Sequence, residues 1–442
     1  MAPRILRPYE LGFFVLEGGI NVITKPKGTR DLYGTEAKKW QYVNDLIDSL
    51  CEKYNYHFIR TPVFEASELF HRGVGETTDI VTKETYDFID RGERPMTLRC
   101  EGTAGVVRSY IENKMYGLPM QPLKFYYNET IYRYERPQSG RFREHTQFGV
   151  EVLGSDDAYI DAEVISLAVN LFKMLGLKGI KVHVNSLGDK SSRENYKKIL
   201  TEYLRPHISS LCGDCQRRFE VNPLRVIDCK VDMDSSIIKN APLTIDNLNK
   251  ESKDRFTKVQ DFLDVLDIEY VINPKIVRGL DYYNHTIFEI SAEIKDFGAQ
   301  NVLCGGGRYN GLVESLDGPS TPGIGFGMGL DRLHMALKAE GINLPIKNSL
   351  DCYIMYVNPE EKEYAALISQ DLRLNGYTVD MDYMNKSLKA QFREADRLNV
   401  RYLIILNSED IKNEEVTLKD NTTKEEVKVK INSLIDQLDM NF

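Results

Sequence analysis

Apolar residues between Glu36 and Tyr54 recur at helical spacing, with Trp40, Val43, Ile47, Leu50 and Tyr54 on one face, and predict a long amphipathic helix. HFIRTPVFE follows as a strand that ends at Pro62, where proline removes a ladder donor. YDFID and MTLR predict a hairpin turning at Arg91-Gly92. LRCEGTAGVVRSYI then passes from strand to helix, with Glu101 and Thr103 at the junction. A carboxylate there can cap the helix, worth about 1 kcal/mol, or take an α-ammonium group. TIYRY alternates as a strand, Pro137, Ser139 and Gly140 break it, and QFGVEVL returns, so residues 128–154 read as an antiparallel hairpin with a long loop. Glu135 and Glu151 are acids set into otherwise apolar or basic strand. DAYIDAEVISLAVNLFKMLG predicts a helix with Asp156 as N-cap and Gly176 as its stop, and IKVHVNSL a further strand.

INLPIKN at 342–348 reads as a linker. Beyond it, CYIMYV, a helix from Ala365 to Leu374, YTVDM, a helix near 386–398 and YLIIL give β–α–β–α–β, which implies a parallel sheet with right-handed crossovers. EVTLKDNTTKEEVKV adds a hairpin turning at Asp420-Asn421, before a last helix. Lys386, Lys389, Arg393 and Arg397 make one of these helices basic.

A chain of 442 residues holds about two or three domains. Its 42% hydrophobic and 28% charged residues are an ordinary globular balance. The net charge of −9 gives no global attraction to nucleic acid, so any such binding must use local basic patches. Seven cysteines without regular spacing suggest a reducing compartment, hence a cytoplasmic protein. No apolar run is long enough for a membrane span. LGFFVL, after Arg4 and Arg7, is too short for a signal peptide, so residues 1–22 are expected to be a disordered extension.

Arg133, Arg136, Arg141 and Arg143 crowd the end and loop of the 128–154 hairpin. Guanidinium forks match phosphate oxygens bidentately, so the cluster suits a substrate with several phosphates. GFGMG is not the dinucleotide pattern G-x-G-x-x-G, and no phosphate-binding G-x-x-x-x-G-K-[ST] occurs. Cys212, Cys215 and Cys229 supply three zinc ligands where a structural site wants four, and His207 would have to be the fourth at an unusual offset. Buried thiols and no metal are the expectation there.

Taken in order, these segments resemble one family. The helix, strand and proline over 36–62 resemble motif 1 of class II aminoacyl-tRNA synthetases, the unit that forms their dimer interface. The arginine-rich hairpin resembles motif 2. KIVRGLDYYNHTIFEI at 275–290 and CGGGRYNGL at 304–312 resemble the two signature peptides of histidyl-tRNA synthetases, and GIGFGMGLDRL at 323–333 resembles motif 3. KGTRD near the start is a sixth match. The resemblance implies an α+β protein with an antiparallel-sheet catalytic core in two parts, 23–189 and 269–341. A helical insertion at 190–268, a linker at 342–349 and a C-terminal α/β anticodon-binding domain at 350–442 would complete it.

The implied activity is histidine–tRNA ligation in a homodimer, with ATP as substrate and Mg²⁺, and with histidine and histidine tRNA as partners. By motif position, Arg278 and Arg133 would be catalytic. Glu101, Thr103 and Gln147 would take the α-ammonium of histidine, and Glu151, Tyr282 and Tyr283 would complete its pocket. Arg133, Glu135, Arg141, His145 and Arg332 would hold ATP. Arg136, Gln138, Lys389 and Arg393 would meet tRNA. A regulatory subunit of ATP phosphoribosyltransferase shares part of this pattern, but RGLDYY, Arg332 and the C-terminal β–α–β segment argue against it. The signature peptides argue against the class IIa synthetases for threonine, proline or glycine.

Overall fold

Leu123–Tyr132 and Glu144–Leu153 pair antiparallel as the expected hairpin, with Ile131 opposite His145 and Phe125 opposite Glu151. The computed structural model describes residues 22–75, 78, 80–138, 140–227, 229, 231–276, 279–294, 301–347 and 350–440. The N-terminal extension therefore lies outside the described residues except for Val22. The first hairpin strand starts at Leu123, well before TIYRY, and Glu135 falls in the loop, not in the strand. Its N–H turns back to Arg133 O at 2.7 Å, which takes the chain off the ladder.

The hairpin is part of an eight-stranded sheet. The order is His57–Phe58, Leu123–Tyr132, Glu144–Leu153, Gly323–Gly329, Val302–Arg308, Asn284–Ala292, Ile180–Ser186, Tyr270–Ile272. The inner strands pair antiparallel and the two short edge strands pair parallel. The single strand expected over HFIRTPVFE is two pieces. His57–Phe58 edges the large sheet, whereas Phe64–Ala66 joins Pro95–Leu98 and Asp87–Ile89 in a three-stranded sheet. Between them, side chains replace the ladder: Thr61 N–H donates to the Glu129 carboxylate at 2.6 Å, and Arg99 Nη1 donates to Thr61 O at 2.9 Å.

One face of the large sheet is apolar. Phe148, Val150 and Val152 pack there with Ile324, Phe326 and Met328 against the helices Gly34–Lys53 and Ala158–Met174. Each fully buried side chain of this size contributes roughly 1.5–3 kcal/mol. The helical face expected around Trp40 is buried at Trp40, Val43, Ile47 and Leu50. The second helix is capped by Asp157, which accepts from Tyr159 N, and not by Asp156. Asp156 is drawn off by the cations Arg255 and Arg308. Arg308 Nε also pairs with Asp161 at 2.7 Å, both fully buried, and ties this helix to the sheet.

Between Ser186 and Tyr270 the chain is mostly helical, with Lys190–Leu204, Gly213–Val221, Ser236–Lys239 and Lys250–Val265. A small core around Tyr196, Leu200, Leu204, Phe219 and Val226 holds the middle of this segment together.

The chain divides into two compact units. One holds Trp40–Leu344, and the other joins Tyr33–Lys39 to the chain from Pro345 onward. In the second, Cys352–Tyr356 lies between Val379–Met381 and Tyr402–Leu406 in parallel, and the antiparallel hairpin Glu415–Asp420, Glu426–Lys430 follows. Among the described residues, no helix is long and apolar enough to cross a membrane.

Candidate functional site

Strand alternation builds the site on the second face of the large sheet. If Phe148, Val150 and Val152 point into the core, then His145, Gln147, Gly149 and Glu151 point the other way. Gly325, Gly327 and Gly329 of the neighbouring strand stand opposite Glu151, Gly149 and Gln147. These glycines make room. A Cβ at 325 would lie 2.1 Å from Glu151 Oε2, and one at 327 would lie 2.6 Å from Gln147 Nε2. The glycine-rich stretch is therefore a floor cleared for larger side chains on the next strand. Over it lies a cleft of about 950 Å³, lined by Glu101, Thr103, Arg133, Glu135, Arg141, His145, Gln147, Tyr282, Tyr283 and Arg332, among others.

At one end, polar groups converge on the same side of the floor. Glu151 has no exposed surface. Thr103 Oγ1 donates to its Oε1 at 2.7 Å, and Tyr309 OH donates to its Oε2 at 2.5 Å. Tyr127 OH stands 3.4 Å from Oε1 and accepts from Gln147 Nε2 at 3.0 Å. Burial pushes the Glu151 carboxyl up to about 8; the charge of Glu101 acts in the same direction, and the Thr103 and Tyr309 hydroxyls oppose it. Glu101 serves as the helix cap, accepting from Thr103 N at 2.9 Å and Ala104 N at 2.6 Å, and it also lines the cleft. Tyr127 and Tyr309 are buried residues that hold Glu151 and that the motifs did not assign. Tyr309 belongs to CGGGRYNGL, but its contact depends on a strand register that local sequence does not carry.

At the other end the cations gather. Arg133 Nε donates to Cys100 O at 2.8 Å, which anchors a guanidinium lining the cleft. Arg332 Nε donates to Gly140 O at 3.1 Å, and its Nη1 to Val302 O at 3.2 Å, so this helix residue grips the hairpin loop. Burial lowers the Arg332 pKa, and the charge of Arg141 lowers it further, with Arg133 adding to it and Glu135 opposing. Like charges held this close mark a place for a polyanion. Arg141 pairs with Glu135 at 3.3 Å. Burial takes His145 down to about 3, with Arg133 adding to it, so its imidazole is neutral at physiological pH. Arg136 and Gln138, farther out on the same loop, are exposed. Arg278 lies outside the described residues; Lys275 and Gly279, on either side of it in the chain, line the cleft.

KGTRD proves to be the loop's footing. Arg30 pairs with Asp331 at 2.6 Å and stacks over Phe142 at 5.0 Å and Trp40 at 4.8 Å. Asp331 Oδ2 accepts from Thr146 N at 2.9 Å, and Gly28 O accepts from Arg143 N at 2.9 Å. Gly28 itself has φ +86° and lies against the Arg143 side chain, where a Cβ would come within 2.9 Å. In the second unit, Lys389, Arg393 and Arg397 are exposed on the helix Leu388–Arg397, while Lys386 pairs with Glu394.

Comparison with known proteins matches this geometry to one family. The family model described as histidyl-tRNA synthetase matches residues 28–333, and that of the anticodon binding domain matches 351–441. The histidine–tRNA ligase of Oceanobacillus iheyensis is 51% identical over 413 residues, covering 93% of this chain and 96% of its own length. That of a Geobacillus species is 50% identical, with 93% and 98% covered. The apo histidyl-tRNA synthetase of S. aureus superposes with a TM-score of 0.82 at 40% identity, over 94% of this chain and all of that one.

Proposed function

The chain belongs to the histidyl-tRNA synthetase family, and on that premise we propose how its cleft divides the family's reaction among named residues. The activity is that of a histidine–tRNA ligase: histidine is activated with ATP to histidyl-adenylate and passed to the 3′ end of histidine tRNA. The observation that carries the assignment is the joining, in one cleft, of the polar residues Glu101, Thr103 and Gln147, with buried Glu151 behind Thr103, and a cluster of three arginines.

The histidine carboxylate is already an anion at neutral pH, so its attack on the α-phosphate needs no general base. The barrier lies in bringing two anions together and in stabilising a charged transition state, and cations held in place lower it. Arg133 and Arg278 hold the α-phosphate and the carboxylate. Arg141 and Arg332 hold the γ-phosphate of a bent ATP, Glu135 meets the adenine amino group, and neutral His145 lies near the ring. The imidazole of histidine sits between Glu151 and Tyr283, beside Tyr282, while Glu101, Thr103 and Gln147 take the α-ammonium. Glu151 can accept a further bond in either protonation state, because its carbonyl oxygen carries two lone pairs. Mg²⁺ fits as part of the ATP complex, since it takes few protein ligands and keeps its waters. Glu289, a carboxylate in the cleft lining, would hold it there, and the ion would neutralise phosphate charge.

We place the tRNA end at the loop tip. Exposed Arg136 and Gln138 project past the arginines assigned to ATP, and arginine and glutamine suit base edges and phosphates. Gln138→Ala raises the KM for tRNA while leaving histidine-dependent pyrophosphate exchange unchanged. Loss of exchange with normal tRNA affinity would move the tip into the first step. In the second unit, Lys389 and Arg393 meet tRNA phosphates. The double alanine variant weakens tRNA binding and lowers the salt slope by about 1 per lost contact; an unchanged slope would make this helix a solvated face only.

The proposed assembly is a homodimer through the motif 1 region. Phe58 in that region is 57% exposed, and Phe64 and Ile89 of the small sheet that follows are 52% and 65% exposed, apolar surface of the kind that an interface covers. A cytoplasmic location accords with seven free cysteines.

A further inference from the structure

Within the helical insertion, Cys212, Cys215, Cys229 and Asp232 bring four metal-ligating atoms within 4.8 Å of one another. Cys212 Sγ lies 3.6 Å from Cys229 Sγ, and Cys229 Sγ lies 3.6 Å from Asp232 Oδ2. A tetrahedral zinc with Zn–S bonds of about 2.3 Å needs sulfur–sulfur edges of about 3.8 Å. The spacing is C-x₂-C at the start of the helix Gly213–Val221, then C-x₂-D seventeen residues on from Cys212. The fourth donor missing from the cysteine count is thus Asp232. His207 is exposed against the ring of Tyr203 and is not in the group.

We propose that Cys212, Cys215, Cys229 and Asp232 bind one structural Zn²⁺ in a closed four-ligand site. Two observations separate this from an ordinary thiol core. First, an apolar core gains nothing from a carboxylate turned toward three sulfurs, yet Asp232 is fixed there by accepting Cys212 N–H at 3.0 Å. That is the kind of outer hydrogen bond that orients a metal ligand. Second, the apolar core around the cluster is small, the situation in which a metal staple adds most to stability. Three thiols release one proton each on binding, and the ion is held as a thiolate–carboxylate complex.

The site has a consequence for the cleft. The segment that carries Cys229 and Asp232 continues into its wall, where Ile227, Cys229, Met233, Asp234, Ile238 and Lys239 line it. The ion would fasten that wall to the start of the helix Gly213–Val221.

The test uses the full-length protein, purified under reducing conditions without chelator. Mass-spectrometric metal analysis is expected to find about one zinc per chain, and Co²⁺ added to metal-stripped protein is expected to give a thiolate charge-transfer band with tetrahedral d–d absorption. Asp232→Ala keeps all three thiols, and with it a competing chromophoric chelator removes the metal at a concentration at least tenfold lower. Cys215→Ser loses the stoichiometric zinc. Protein with less than about a tenth of an equivalent of zinc that also fails to bind Co²⁺ or Zn²⁺ would overturn the proposal. So would a denatured thiol titration giving five of the seven cysteines (7 − 2) in zinc-free protein, because a disulfide would then occupy the site.

Discussion

Arg278→Ala slows formation of histidyl-adenylate by about 10²-fold or more in single turnover, with histidine and ATP binding altered less and the thermal midpoint nearly unchanged. A permanently charged fork with five donors can grip the histidine carboxylate and the α-phosphate together. That grip holds nucleophile and electrophile in line and offsets their repulsion. Removing one preorganised neutral donor already costs about 10²–10³ in rate, and a full charge acting on a phosphoryl transition state counts for at least as much. The assignment rests on RGLDYY and on the cleft positions of Lys275 and Gly279. A folded variant with a near-normal single-turnover rate would remove Arg278 from catalysis.

Glu151→Gln raises the KM for histidine strongly and leaves ATP binding intact. A site built to hydrogen-bond a substrate group rejects analogues lacking it by roughly 10⁴-fold or more, and Glu151 is the buried group to which Thr103 and Tyr309 already donate. The same variant changes the pH dependence of stability in a defined direction. Burial raises the folded carboxyl from 4.5 to about 8. Its contribution is therefore full below pH 4.5 and is lost as pH rises through about 8. Thermal midpoints measured across this window should fall less steeply with rising pH in Glu151→Gln than in the parent. An unchanged histidine KM would take Glu151 out of the pocket, and parallel pH profiles would place its titration elsewhere.

Much of the site was legible because its signals are local. Trp40, Val43, Ile47 and Leu50 repeat at helical spacing, and they are buried as that spacing requires. His145, Gln147 and Glu151 alternate with Phe148, Val150 and Val152, so the strand itself separates cleft from core. What was not legible depends on distant partners. The strand after the first helix breaks because Thr61 is claimed by Glu129 and Arg99, both far along the chain. Asp156 fails as a cap because arginines from two other elements reach it first. Tyr127 and Tyr309 meet Glu151 only through strand register, and Asp232 stands beside three thiols that cysteine spacing alone leaves one donor short.

Amino-acid-dependent pyrophosphate exchange, run in parallel with histidine, threonine, proline and glycine, tests the account most directly. It reads the first step alone, without tRNA, in the cleft that holds Thr103, Gln147 and the arginine cluster. Exchange dependent on histidine and on ATP, with the other three amino acids at background, is the predicted result. Exchange supported by one of those three, or by none of the four, would contradict it.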